Sequence, residues 1–191
     1  MVNVSFAKEE QEDFKTIVEN TISSQDLSYK VEDYSLSNKE TKKINVILAE
    51  NGYLDKLNDY GYKKVDHAYL NTVKVESNNF DKAYIIPIYY ENNNTSLFTQ
   101  IVYLPEYNSV LSLASVEYNK NSNNLEEFFS YTELSYFREL RYSLPKFVCD
   151  MGGAVACTTF CTGVGTAFPV FGVACSLICG PAFGYLCDGV E

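Results

Sequence analysis

Three runs decide the fold: Lys82-Ala83-Tyr84-Ile85-Ile86-Pro87-Ile88-Tyr89-Tyr90, Leu97-Phe98-Thr99-Gln100-Ile101-Val102-Tyr103-Leu104 and Val110-Leu111-Ser112-Leu113-Ala114-Ser115-Val116-Glu117-Tyr118. All three are rich in β-branched and aromatic residues, which suit a pleated, half-buried surface. Between them stand Glu91-Asn92-Asn93-Asn94-Thr95 and Pro105-Glu106-Tyr107-Asn108, both of turn composition. Links this short predict antiparallel hairpins, and so a meander. Pro87 cannot donate to a ladder, which places its strand at a sheet edge.

The flanks supply helices. Tyr69, Val73 and Val75 alternate with polar residues, so strands begin near residue 68. Before them, Leu54 and Leu57 ending at Gly61 predict a short helix with a glycine stop, while Ile44 to Leu48 fits strand or helix. Phe14, Ile17, Val18 and Ile22 follow helical spacing, so residues 6–24 are expected to form an amphipathic helix over one face of the sheet. Downstream, Asn124-Leu125-Glu126-Glu127 has the look of a helix start. Phe128, Phe129, Tyr136 and Leu140 continue it, and Arg138 and Arg141 suit the negative end of its dipole. Strand is the alternative for part of that stretch, because Phe and Tyr also favour strands.

Composition divides the chain. All six Cys lie between Cys149 and Cys187, eight of the ten Gly lie at or beyond Gly152, and no Lys or Arg follows Lys146. Residues 151–187 carry no charge, whereas the first 148 residues hold 15 basic and 22 acidic groups and no Cys. The break falls at Ser143-Leu144-Pro145-Lys146, where Pro145 disfavours helix in the residue before it. Two domains are expected: an acidic α+β domain over 1–145 and a cysteine- and glycine-rich domain over 146–191.

Several function classes are poor fits. A net charge of -10 argues against nucleic acid, which demands clustered cations. One His, no nucleophile elbow and no glycine-rich phosphate loop leave no catalytic constellation, so no enzyme and no cofactor are expected. His67 beside Asp66 reads as a solvated surface contact. Met1-Val2-Asn3-Val4 followed by the charged stretch from Lys8 to Asp13 does not read as a secretory signal.

The gaps between successive Cys are seven, three, thirteen, three and seven residues, a palindrome about Phe168. At roughly 100° per residue, Cys149, Cys157 and Cys161 fall at about 0°, 80° and 120°, and Cys175, Cys179 and Cys187 at about 0°, 40° and 120°. Each half carries its sulfurs on one helical face. Gly163-Val164-Gly165-Thr166-Ala167-Phe168-Pro169 offers a helix stop and reversal. An antiparallel helical hairpin would bring Cys149 to Cys187, Cys157 to Cys179 and Cys161 to Cys175, although six Cys allow fifteen pairings and sequence alone does not choose. Zinc fits poorly, because the surroundings are apolar and two Cys lack close partners. Neither half reaches the roughly 20 apolar residues a membrane span requires.

Cys149-Asp150-Met151-Gly152-Gly153-Ala154-Val155-Ala156-Cys157-Thr158-Thr159-Phe160-Cys161 resembles the cysteine spacing of halocin C-eight-like bacteriocins. Cys175 to Cys187 repeats that spacing in reverse. The layout is also similar to their precursors, a longer acidic part followed by a small cysteine-rich peptide. The resemblance implies that the C-terminal peptide is released as an antimicrobial and that the N-terminal part is its immunity protein or keeps it inactive. It implies a processing protease and an exporter as partners; the switch in composition and the extended chain at Pro145 place the expected cut between Leu140 and Cys149, with Arg141 and Lys146 as recognition points. It further implies a secreted peptide whose target is the membrane, or a membrane protein, of competing cells. No disulfide pairing is carried over, because the archaeal type member has more Cys than this tail.

With no cation beyond Lys146, the tail is expected to act through apolar surface, including Phe160 and Val164, and so to be insensitive to salt. Those side chains are expected to stay exposed or to rest against the N-terminal domain until cleavage. Two other readings remain at this stage: a non-toxic envelope or immunity protein anchored by its tail, and a disulfide-stabilised binding module.

Overall fold

The computed structural model describes residues 13–78, 81–122, 124–133 and 146–167; within the last of these, the side chains of residues 146, 149, 154 and 166 are not described. The expected α+β class is observed. Helix α1 spans Phe14–Ser24, α2 Asn38–Glu50, α3 Tyr53–Asp59, α4 Lys146–Gly152 and α5 Ala154–Ala167. The strands are β1 Lys30–Asp33, β2 Lys63–Val65, β3 Val73–Glu76, β4 Lys82–Glu91, β5 Thr95–Leu104, β6 Ser109–Asn119 and β7 Asn124–Thr132. All pair antiparallel in the order β1-β3-β4-β5-β6-β7, and β2 joins β4 beside β3.

Local chemistry explains the helix ends. Asp13 accepts from the Thr16 amide and caps α1, and that bond holds its carboxyl below the usual range. Ser37 and Glu40 form a capping box that starts α2, which resolves the Ile44–Leu48 stretch as helix. Gly61 takes a left-handed φ of 68° just beyond α3, a conformation that glycine adopts without a Cβ clash.

The strands alternate across two cores. Phe98, Val102 and Leu104 of β5 face a cluster containing Phe14, Ile17 and Val18 of α1 together with Met151, Val155 and Phe160 of α4 and α5. Leu97, Ile101 and Tyr103 face Ile44, Leu48, Tyr53 and Leu57 of α2 and α3. The result is three layers, with β5 and β6 nearly wholly buried.

Three expectations are corrected. Residues 124–132 form β7 rather than a helix start, because the open side of β6 accepts them as a strand. A register shift opposite Ser115 and Val116 places Phe128 as the extra residue of a bulge, pointing at α3 and Lys56. Pro87 is not on an outer strand: β4 is central. Yet β3 pairs with residues 82–85 and β2 with residues 89–91, so the flank of β4 at Pro87 has neither neighbour. The proline occupies a local edge inside the sheet. Lastly, Gly163 and Gly165 belong to the interior of α5, which continues to Ala167. Residues 6–12, Tyr136, Arg138, Leu140, and the reversal at Phe168 and Pro169 lie outside the described residues.

Candidate functional site

The Cys-rich segment offers the most distinctive chemistry, so its surroundings define the candidate site. Helices α4 and α5 are separated at Gly153, which interrupts the continuous rotation counted from Cys149. Along α5 the buried positions are Val155, Ala156, Thr159, Phe160, Gly163 and Val164, an i, i+3, i+4 stripe of the kind a packed helix needs. Phe160 and Val164 are fully buried. Of the two alternatives stated for them, the contact with the N-terminal part is the one observed.

The receiving surface is built from α1 and strands β3 to β6. Phe98 meets Phe160 with ring centroids 5.8 Å apart. The same ring lies over Gly163, where a Cβ would come within 2.6 Å of its tip. Only a glycine permits this approach. Gln100, buried mid-strand, donates from Nε2 to the Ala156 carbonyl at 2.9 Å, tying the sheet to the helix backbone. Thr159 sits at the contact with no exposure, and its hydroxyl donates to the Val155 carbonyl of its own helix at 2.8 Å. An apolar interface tolerates it for that reason.

Helix α4 adds a polar clasp. The Tyr29 hydroxyl donates to the Asp150 carboxylate, and the Tyr29 ring meets Phe147 edge-on at 5.0 Å. Burial first, and then the bond to Asp150, raise the Tyr29 pKa, so the phenol stays protonated at ordinary pH.

Cys157 and Cys161 lie four residues apart on α5, partly buried at the flank of this core. Thr158 and Thr162 are exposed. The side chain of Cys149, and Cys175, Cys179, Cys187, Arg141 and Pro145, lie outside the described residues, as does the side chain of Lys146, the first residue of α4. Sequence reasoning missed Tyr29, Phe98 and Gln100. Gln100 alone left a signal, as a long amide inside an otherwise apolar strand run.

His67 is a correction. Asp66 is exposed and pairs with Lys64 at 3.3 Å. His67 instead turns inward, with its ring 4.6 Å from Tyr89 and perpendicular to it, and its Nε2 is closed off from solvent. Among the described residues no cluster of His, Cys, Asp or Glu is placed to hold a metal ion, and no helix is long and apolar enough to cross a membrane.

No curated protein and no solved structure matches the chain. A family model does match, over residues 3–187, which takes in both the sheet and the Cys-rich segment. The chain therefore belongs to the Gpos_C8-like family, described as "Putative immunity protein/bacteriocin".

Proposed function

We propose that the chain is the precursor of an antimicrobial peptide carried in its Cys-rich C-terminal part, with the N-terminal sheet holding that peptide inactive. A processing protease cuts near Arg141, Pro145 and Lys146, and an exporter delivers the disulfide-stabilised peptide to the medium. The peptide then acts on the membrane, or on a membrane protein, of competing cells. Family membership supports the pairing of immunity and bacteriocin roles in one chain.

One observation carries the reading. The apolar side chains Phe147, Val148, Met151, Val155, Phe160 and Val164, which a membrane-seeking peptide must present, are buried against α1 and the sheet. A surface occupied in this way is unavailable to a target. The uncut chain is therefore harmless, and the N-terminal part has the surface required to recapture the released peptide.

The test places a site for a specific protease between residues 140 and 145 of the full chain. After cutting, the two pieces should co-elute in size-exclusion chromatography at high concentration and separate on strong dilution or in denaturant. Killing of sensitive cells should appear with the separated, reoxidised tail, persist in high salt, and disappear when the N-terminal piece is added back. Immediate separation after cutting would refute the holding role, and an inert oxidised tail would refute the toxin role.

A further inference from the structure

Phe98 and Gln100 stand two residues apart on β5 and share one face of the sheet. They meet α5 at Gly163 and at Ala156. Those two positions are seven residues apart, about two helical turns, so they fall on the same side of the helix. All four residues are buried.

The Phe98 contact reads a side chain that is missing. A Cβ at position 163 would lie 2.6 Å from the tip of the ring and 3.1 and 3.4 Å from the two ring atoms beside it. Phe160 already packs on that ring, so even alanine is too large for the space. Helix propensity runs the other way and favours alanine over glycine. The glycine therefore serves the contact and not the helix.

The Gln100 contact reads backbone. Its direct neighbours across the sheet are Pro87 on β4 and Ala114 on β6, whose side chains have no group to bond it. Its Nε2 donates to the Ala156 carbonyl at 2.9 Å, while its Oε1 has no hydrogen-bond partner among the described residues. An amide buried with one end unpaired carries a cost that an aliphatic side chain would not. The Ala156 carbonyl also accepts from the Thr159 hydroxyl at 3.2 Å, so it is not left bare without Gln100. The bond thus serves the hold of the strand on the helix. It forms only where the helix backbone comes close, which the single methyl of Ala156 and the bare Gly163 permit.

We propose that these two contacts make the holding selective for the chain's own peptide. The N-terminal part accepts a helix with alanine and glycine seven residues apart, and rejects a cysteine-rich peptide that carries a side chain at the position of Gly163. This rests on the holding role proposed above and adds the residues that decide which peptide is held. A competing producer's peptide of the same Cys spacing, but with alanine or a larger residue at that position, escapes the sheet. Protection is then confined to the matching chain.

The test is made in the full chain, cut between residues 140 and 145 and diluted in size-exclusion chromatography to find the concentration at which half of the pieces are apart. Gly163→Ala should raise that concentration about 5- to 150-fold, although the alanine favours the helix. In the Phe98→Leu background, which lacks the ring tip, the same change should shift it by less than about threefold. Gln100→Glu keeps the shape but sets an ionised acceptor against the Ala156 carbonyl. Its pieces should separate at pH 8 and rejoin at pH 5, because burial raises the carboxyl pKa and the protonated form donates again. The unaltered chain should show no such dependence, and Thr158→Ala, on the exposed side of α5, should leave the midpoint unchanged. Unaltered pieces that separate at once would refute the holding role and the selectivity with it. If the unaltered pieces stay joined, a Gly163→Ala midpoint equal to theirs, or raised as much in the Phe98→Leu background, overturns the selectivity alone, as do Gln100→Glu pieces that behave alike at both pH values.

Discussion

The Gly163 contact makes a prediction in which the sign of the effect decides the matter. Gly163 lies inside α5, so on helix propensity alone Gly163→Ala should stabilise the protein by about 1 kcal/mol. The added methyl, however, would come 2.6 Å from the tip of the Phe98 ring, with two more ring atoms within 3.4 Å. Phe98 is fully buried and packed on Phe160, so its ring has no free direction in which to swing. Overpacking of this kind costs roughly 1–3 kcal/mol, and more where the backbone must shift. The expected net effect is a loss of about 1 kcal/mol or more, or a Tm lowered by roughly 2–4 °C for a chain of this size. Urea unfolding of the full chain measures it. Phe98→Leu removes the ring tip, so the double variant should be less damaged than the two single losses together, with a coupling of about 0.5–3 kcal/mol. A Gly163→Ala protein that is stabilised by about 1 kcal/mol, or that shows no coupling to Phe98, would refute the close packing of α5 on the sheet.

Two further outcomes follow from the polar contacts. Tyr29→Phe removes the donor to Asp150 while keeping the ring against Phe147, and should cost about 1–2 kcal/mol in urea unfolding, with α4 loosening first in amide exchange. On the sheet edge, Lys30 first and then Lys74 lower the Glu32 pKa from 4.5 to about 2, and Lys74 lowers that of Glu76. Because both carboxyls titrate lower in the folded state, their contribution is present above about pH 4.5 and is lost as the pH falls toward 2. Protection factors of the β1 and β3 amides, taken against the intrinsic exchange rate at each pH, should therefore fall over that window, with a smaller change at high salt because these groups are exposed. Unchanged protection factors down to pH 2 would show that the carboxylates do not hold the edge.

Legibility in the sequence tracked the length of each signal. Strands β3 to β6 were readable because long apolar runs met strong turn residues, α1 because of its apolar spacing, and α3 because apolar spacing agreed with a glycine stop. Strands β1 and β2, of four and three residues, carry Lys30-Val31-Glu32-Asp33 and Lys63-Lys64-Val65, sequences too short and too charged to show a period. Strand β7 was misread because Asn124 and two Glu imitate a helix start, while what fixes it is the unpaired side of β6, which no local window contains. The site divides in the same way. The apolar stripe of α5 follows from spacing. Its partner does not: Tyr29 and Asp150 are separated by 121 residues, and Gln100 reaches across 56 to Ala156.

The shift in composition near Pro145 and the packing of the molecule tell different stories, and the difference bears on how a precursor could be controlled. By composition the Cys-rich segment is a separate unit, free of charge from Met151 to Cys187 and holding all six Cys. By packing, α4 and α5 complete the core that α1 and the sheet begin. Full burial of Phe147, Val148, Met151, Val155, Phe160 and Val164 contributes on the order of 10 kcal/mol gross, at roughly 2 kcal/mol per side chain. After a cut, separation forfeits that contribution but recovers the freedom lost on association, about 4–15 kcal/mol. The two quantities are of similar size. Cleavage alone would then leave the pieces in a concentration-dependent equilibrium: paired where both are abundant, inside the producer, and apart once the peptide is diluted in the medium. On this reasoning no dedicated release factor is required. Dilution of the cut protein in the chromatographic experiment should shift it from one peak to two, whereas pieces that stay joined at the lowest measurable concentration would show that something else must separate them.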